Sequence, residues 1–263
     1  MGVINVTPDS FSDGGDFITL DQIKTQTENM LEGGVDIIDV GGESSRPFSR
    51  PVPLEVEIKR VIPAIKQIRK ITDIPISVDT TKAEVARTAL EAGADIINDI
   101  SALRSDPLMV KTAARFNAPV ILMHMQGSPK DMQEKPHYEN VVHEVKTFLR
   151  ERAEWAINNG IPRDHIIIDP GIGFGKRVHD NLMLLKNLGS FSELELPILV
   201  GPSRKSFLGG ITGIENPRER DIATLGAISV SAMNGANIVR VHEVRNSSQV
   251  IKVVNAIMKI QPC

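Results

Sequence analysis

Cysteine is nearly absent from this chain: the single copy in 263 residues is Cys263, the last one. That excludes an internal disulfide framework and any cysteine-rich zinc site. An excess of one charge is missing too, since 30 basic side chains face 33 acidic ones for a formal net charge of -3. Such balance argues against a coat for nucleic acid or a polybasic membrane-surface protein. No apolar run approaches the roughly 18 residues of a membrane span. The opening Met1-Gly2-Val3-Ile4-Asn5 lacks the basic and apolar regions of a secretory leader. The expectation is a cytoplasmic protein without nucleic-acid or membrane partners. Low-complexity tracts and Pro/Ser-rich linkers are also absent, so one domain over residues 1–263 is expected. With 41% hydrophobic and 24% charged residues, the chain has material for a large core.

What the chain does have is an internal echo. Gly34-Val35-Asp36-Ile37-Ile38-Asp39, Gly93-Ala94-Asp95-Ile96-Ile97-Asn98 and Gly235-Ala236-Asn237-Ile238-Val239-Arg240 share one grammar. A glycine closes a helix, a short polar turn follows, and a β-branched run ends in a polar residue. Reading outward from these joints gives eight runs of strand length, at 2–6, 36–40, 74–78, 95–97, 118–123, 165–168, 196–200 and 237–241. Helical patterns lie between them. Thr19…Gln22 and Thr81…Glu84 have capping-box spacing, and Asp106-Pro107 sets a capping residue before a first-turn proline. A long helix over 138–158 is expected to carry Val141, Val145, Phe148, Leu149, Arg152 and Trp155 on one stripe. Continuously apolar strands suit a parallel sheet covered by helices. Eight βα units predict an α/β fold, a (β/α)8 TIM barrel. The alternative is a doubly wound open sheet, whose dinucleotide fingerprint is missing from Asn5-Val6-Thr7-Pro8-Asp9.

Barrel chemistry sits at the C-terminal ends of the strands. The residues there are Asn5, Glu43 to Arg46, Asp79, Asn98, Met123-His124, Asp169, the stretch from Gly201 to Ser206, and Arg240 with His242. Cations concentrate after strands seven and eight, where barrels often bind phosphate. Asp79, Asn98 and Asp169 offer two carboxylates and an amide, a set able to hold a flat heterocycle, bind metal or act as acid and base. Taken singly, Asp79 reads equally as a cap for the helix near Thr81, and Asp169 as a cap for the turn at Pro170. The glycines of Asp169-Pro170-Gly171-Ile172-Gly173-Phe174-Gly175-Lys176 permit close backbone approach to a ligand, with Phe174 free to pack on a flat face. His124, His137, His143, His165 and His179 show no metal-pair spacing and read as structural. Two glycine-bearing loops, 7–18 and 41–53, have the composition of lids.

These segments, with Gly42-Glu43-Ser44-Ser45-Arg46-Pro47, Ser77-Val78-Asp79-Thr80, Ser203-Arg204-Lys205-Ser206 and Arg240-Val241-His242, closely resemble the dihydropteroate synthases almost end to end. Ser45 stands where that family usually has Thr, which keeps the hydroxyl. The chain starts directly at its first strand, where the family usually carries a short extension. The resemblance implies condensation of a dihydropterin pyrophosphate with p-aminobenzoate, with Mg²⁺, as a step of folate biosynthesis. It implies catalytic roles for Asp79, Asp169 and Lys205, and a pterin slot bounded by Asn98, Met123, Phe174 and Gly201. Arg46, Arg240 and His242 would hold pyrophosphate, with Asn5 also reaching the metal. Phe11, Ser45, Pro47, Lys205 and Ser206 would shape the p-aminobenzoate pocket that sulfonamides imitate. A homodimer through helices at 222–233 and 250–260 is expected. A pterin-binding module of a corrinoid-dependent methyl-transfer system is the alternative.

Overall fold

The computed structural model describes residues 1–7, 19–45, 49 and 51–260. Phe11, Arg46 and Pro47, with much of the two expected lids, lie outside the described residues.

Eight parallel strands alternate with helices. The strands are β1 (Gly2–Asn5), β2 (Ile38–Gly41), β3 (Ile76–Asp79), β4 (Ile96–Asp99), β5 (Val120–Met123), β6 (Ile166–Asp169), β7 (Leu199–Val200) and β8 (Ile238–Val239). The helices are α1 (Leu20–Glu32), α2 (Leu54–Arg69), α3 (Ala83–Glu91), α4 (Met109–Phe116), α5 (Val141–Asn158), α6 (Val178–Lys186), α7 (Ser206–Thr212), α8 (Asp221–Met233) and α9 (Val244–Met258). Strands β1 to β6 pair in chain order, and β7 pairs with β8. Parallel bridges Ile168↔Ile198 and Gly2↔Val241 join the two sheets on both sides and close the barrel. Ile96, Ile121 and Leu199 pack with Met1 in one buried cluster, while a second, larger core lies between strands and helices. Burial on both faces is why the strands read as unbroken apolar runs.

Gly34, Gly93 and Gly235 have φ of 83°, 109° and 100°, so the three repeated joints are left-handed helix exits. Thr19 and Gln22 form the expected capping box. Thr81 and Glu84 do not: α3 is capped at Lys82, without a side-chain bond, and its Ala83 N–H donates instead to Asp106 Oδ2 at 2.8 Å. A charged acceptor from the next loop outcompetes the local hydroxyl. Asp106 also accepts from Leu108 N–H, and this turn delays α4 to Met109. The long helix starts at Val141 rather than 138, with Asn140 as its cap. Tyr138 instead turns inward and donates to the Gly175 carbonyl at 2.8 Å.

Candidate active site

Several strands run one or two residues past their apolar stretch, so Asp79, Asn98 and Asp169 stand within the last turns of the ladder rather than beyond it. Asn5 is in register with Gly41, Gly41 with Asp79, and Asp79 with Asn98. Residues in register on neighbouring strands share a face, which puts these four in one row. Arg240, just past β8, reaches the row at Asp79 and the strand below it at Asp39. Its Nε donates to Asp39 Oδ2 at 2.6 Å and its Nη2 to Asp79 Oδ2 at 2.8 Å. Asp39, fully buried within β2, also receives Asn98 Nδ2 at 3.3 Å. Burial pushes the Asp79 carboxyl up to about 7 against the pull of Arg240, with Asp39 adding to the rise.

Across the mouth, Met123 is in register with Asp169. Asp169 Oδ1 accepts from Gly171 N–H at 2.7 Å, so the carboxylate does brace its own turn. Met123, Met125, Met132 and Phe174 form a separate apolar cluster with Ile100 against it. Lys205 Nζ sits 3.8 Å from the centre of the Phe174 ring. Burial pushes Asp169 up to about 6, while the Gly171 N–H, Lys205 and Arg240 pull it back. Arg240 and Lys205 thus both act on one carboxylate, and the two groups share one mouth.

The loops after β7 and β8 also meet. Ser203 Oγ lies 2.9 Å from His242 Nδ1 and accepts from the His242 N–H at 3.2 Å. Gly201 runs beside Arg240, where an added Cβ would stand 3.7 Å from Arg240 Cβ. Arg204 breaks with the expected cationic cluster. It makes a two-point pair with Asp221, at 2.7 and 2.8 Å, from a left-handed backbone (φ 59°). Ser206 is exposed at the start of α7. Ser45 is half-buried and lines a cavity of about 120 Å³ with Asp79, Ile100 and Met125.

Three groups escaped the sequence reading. Asp39 was readable as an acid inside an apolar run. Lys176 is buried at the end of the glycine-rich loop. Lys82 bridges Glu43 and the buried Glu57, tying the start of the β2–α2 loop to α2. Only folding brings those partners together. Among the described residues no group of three or more His, Cys, Asp or Glu is placed to hold a metal. No helix of the described residues is long and apolar enough to cross a membrane.

A closed (β/α)8 barrel with buried acids, an amide and cations gathered at its C-terminal mouth has the build of a barrel enzyme. The pterin binding enzyme family matches residues 1–242. The dihydropteroate synthase of Synechocystis is 45% identical over 259 residues, which covers 98% of this chain and 90% of that protein. That of Haemophilus influenzae is 44% identical over 257 residues, covering 97% and 92%. Among solved structures, the Yersinia pestis dihydropteroate synthase in a sulfonamide complex has a TM-score of 0.94 at 40% identity, covering 98% of this chain and 94% of that one. The Xanthomonas albilineans enzyme with 4-aminobenzoic acid has a TM-score of 0.93 at 43% identity, covering 99% and 93%. This chain belongs to the pterin-binding enzyme family.

Proposed function

We propose that this protein condenses 6-hydroxymethyl-7,8-dihydropterin pyrophosphate with p-aminobenzoate, giving 7,8-dihydropteroate and pyrophosphate in folate biosynthesis. The observation that carries the reading is the pairing of Asp79 and Asn98 in register on one side of the mouth with Asp169 on the other. Relatives of similar sequence have been solved with 4-aminobenzoic acid and with 7,8-dihydropteroate.

In this reading Asp169, Asn98 and Lys205 bind the polar edge of the pterin, and Met123, Phe174 and Gly201 shape the slot around its faces. The C–O bond to pyrophosphate breaks first, and both electrons leave with the anion. The positive charge left on the pterin methylene is stabilised by the ionised Asp79 carboxylate. The aniline nitrogen then forms the new C–N bond and gives up a proton to water. Arg240 and His242, with Arg46, hold the departing pyrophosphate. Ser45, Lys205 and Ser206, with Phe11 and Pro47, form the p-aminobenzoate wall.

Asn5, at the end of β1, is the residue that would reach Mg²⁺ in this reading. This ion takes one or two protein oxygens and completes its shell with substrate phosphates and water. Asn5 supplies an amide oxygen beside Gly41, where a Cβ added to the glycine would stand 3.8 Å from it. A bound Mg²⁺ would supply positive charge to the departing pyrophosphate and so make it a better leaving group.

The working form we infer is a cytoplasmic homodimer. Ile222, Val253, Ile257 and Ile260 leave much of their side chains exposed on or just beyond α8 and α9, which pack together. Sedimentation would test it, since a monomer at micromolar concentration would remove that part. The activity itself is tested by mixing protein, dihydropterin pyrophosphate, p-aminobenzoate and Mg²⁺. Stoichiometric release of pyrophosphate and dihydropteroate is expected. Pyrophosphate release without p-aminobenzoate incorporation would overturn the reading.

A further inference from the structure

Lys176 is 3% exposed, and its nearest polar atoms are all uncharged. Its Nζ lies 2.9 Å from His124 Nδ1, 3.0 Å from the Phe174 carbonyl oxygen and 3.3 Å from the His124 carbonyl oxygen. Three acceptors match the three N–H bonds of an ammonium, provided the imidazole is neutral. It is: burial, with Lys176 beside it, holds His124 far below the usual range for an imidazole. The bonds join two segments that are distant in sequence, the end of β5 and the β6–α6 loop. That loop is pressed hard onto β5. A Cβ on Gly171 would stand 1.9 Å from the His124 oxygen, and one on Gly175 would stand 2.3 Å from the Gln126 oxygen. The same loop carries Phe174, and Asp169 ends the strand that feeds it.

We propose that Lys176 is a positioning residue for the pterin slot, locking the loop that follows Asp169 and carries Phe174 onto β5 and placing a buried positive charge in that loop. The inference rests on the pterin reading above. Burying a cation without a contacting anion is unfavourable, and natural chains do so where the charge acts on something. Burial pulls the Lys176 ammonium down to about 7, with Asp169 the strongest group holding it up, and Asp180 helping. Lys205, from the β7–α7 loop, opposes it. Lys176 reciprocally pulls the Asp169 carboxyl down, beside the larger effects of Lys205 and Arg240.

The test compares Lys176→Met and Lys176→Gln with the unaltered enzyme, using calorimetric titration of 6-hydroxymethylpterin from pH 5 to 8. Lys176→Gln keeps hydrogen-bond donors without charge. Both variants are expected to bind the pterin about tenfold more weakly at pH 6.5. In both, the pH at which binding is half lost should move upward, because a carboxyl deprived of a nearby cation holds its proton longer. The KM for p-aminobenzoate should change less than twofold. Weaker binding in Lys176→Met that Lys176→Gln fully rescues, with an unmoved pH midpoint, would overturn the charge role. Failure of both variants to fold would also overturn the inference, leaving Lys176 as scaffold. If the unaltered enzyme binds no pterin, the underlying reading fails instead.

Discussion

The two sides of the barrel mouth are built by different means. On the β1–β4 side the polar groups answer one another: Asp39 and Asp79 share Arg240, and Asn98 leans on Asp39. On the β5–β7 side, the contact of Lys176 with the His124 ring aside, the polar groups answer backbone. Lys176 meets carbonyls, Asp169 meets an N–H, Tyr138 and Gln133 reach the carbonyls of Gly175 and Gly173, and methionines and Phe174 fill the gaps. The first side holds mutually compensated charges ready to meet developing charge. The second is a rigid apolar wall whose shape depends on backbone geometry. Substitutions should therefore fail differently on the two sides.

The largest effect is expected on the backbone side. In Gly171→Ala the new methyl would meet the His124 oxygen at 1.9 Å, at a residue with φ of 69°. Left-handed strain and overpacking together cost about 3 kcal/mol or more. Denaturant melts should show that loss, with pterin binding abolished in whatever folds. Unchanged stability would mean that the loop is free to lift off β5.

On the charged side the fold should survive and chemistry should fail. Asp79→Asn leaves Arg240 paired with Asp39 at 2.6 Å. It removes the negative charge facing the cationic transition state, so kcat should fall about 100-fold or more with pterin affinity nearly kept. A variant with near-native turnover would reduce Asp79 to a structural residue. Arg240→Ala should weaken the pyrophosphorylated pterin by about 1.5–3 kcal/mol, and the anion-free pterin by much less. Equal weakening of both ligands in a titration would place Arg240 outside the anion site.

The two sides should also separate by pH. Both carboxylates are active when ionised, so function is lost on acidification: turnover below about 7 as Asp79 takes a proton, and pterin binding below about 6 as Asp169 does. Stability runs the other way. Both groups titrate higher in the folded state than unfolded, so the folded protein holds extra protons and is most stable at the acid end. That advantage fades as pH rises from about 4 to 7. In Asp79→Asn the upper kinetic limb should vanish while the binding limb near 6 stays. Loss of both limbs would show that the two carboxylates titrate as one unit.

Much of this design is visible in the sequence, and what is hidden is hidden for one reason. The three Gly joints and the polar residues after the apolar runs mark helix exits and strand ends, because both signals are local. The partners of Asp39 are not, since Arg240 lies 201 positions away. Thr81 and Glu84 misled for the same reason: the acceptor that caps α3, Asp106, comes from a different loop. Lys176 sat in a legible glycine-rich segment, yet only the fold reveals that its ammonium points inward.

The smallest expected effect tests whether every cation at the mouth belongs to the site. Arg204 stands in the same Ser203-Arg204-Lys205-Ser206 run as Lys205, but it is spent on Asp221 through two bonds. A half-exposed pair of this kind contributes about 1 kcal/mol or less. Its left-handed φ of 59° costs a non-glycine residue about 1–2 kcal/mol. Arg204→Ala loses the pair and keeps the strain, so it should be less stable by about 1 kcal/mol. Arg204→Gly loses both and should melt close to the unaltered protein. Neither change should raise the KM for either substrate more than about twofold, because the side chain is held by Asp221 at the start of α8. A tenfold rise in the KM for the pyrophosphorylated pterin, equal in both variants, would move Arg204 into the anion site and extend the charged side of the mouth across β7.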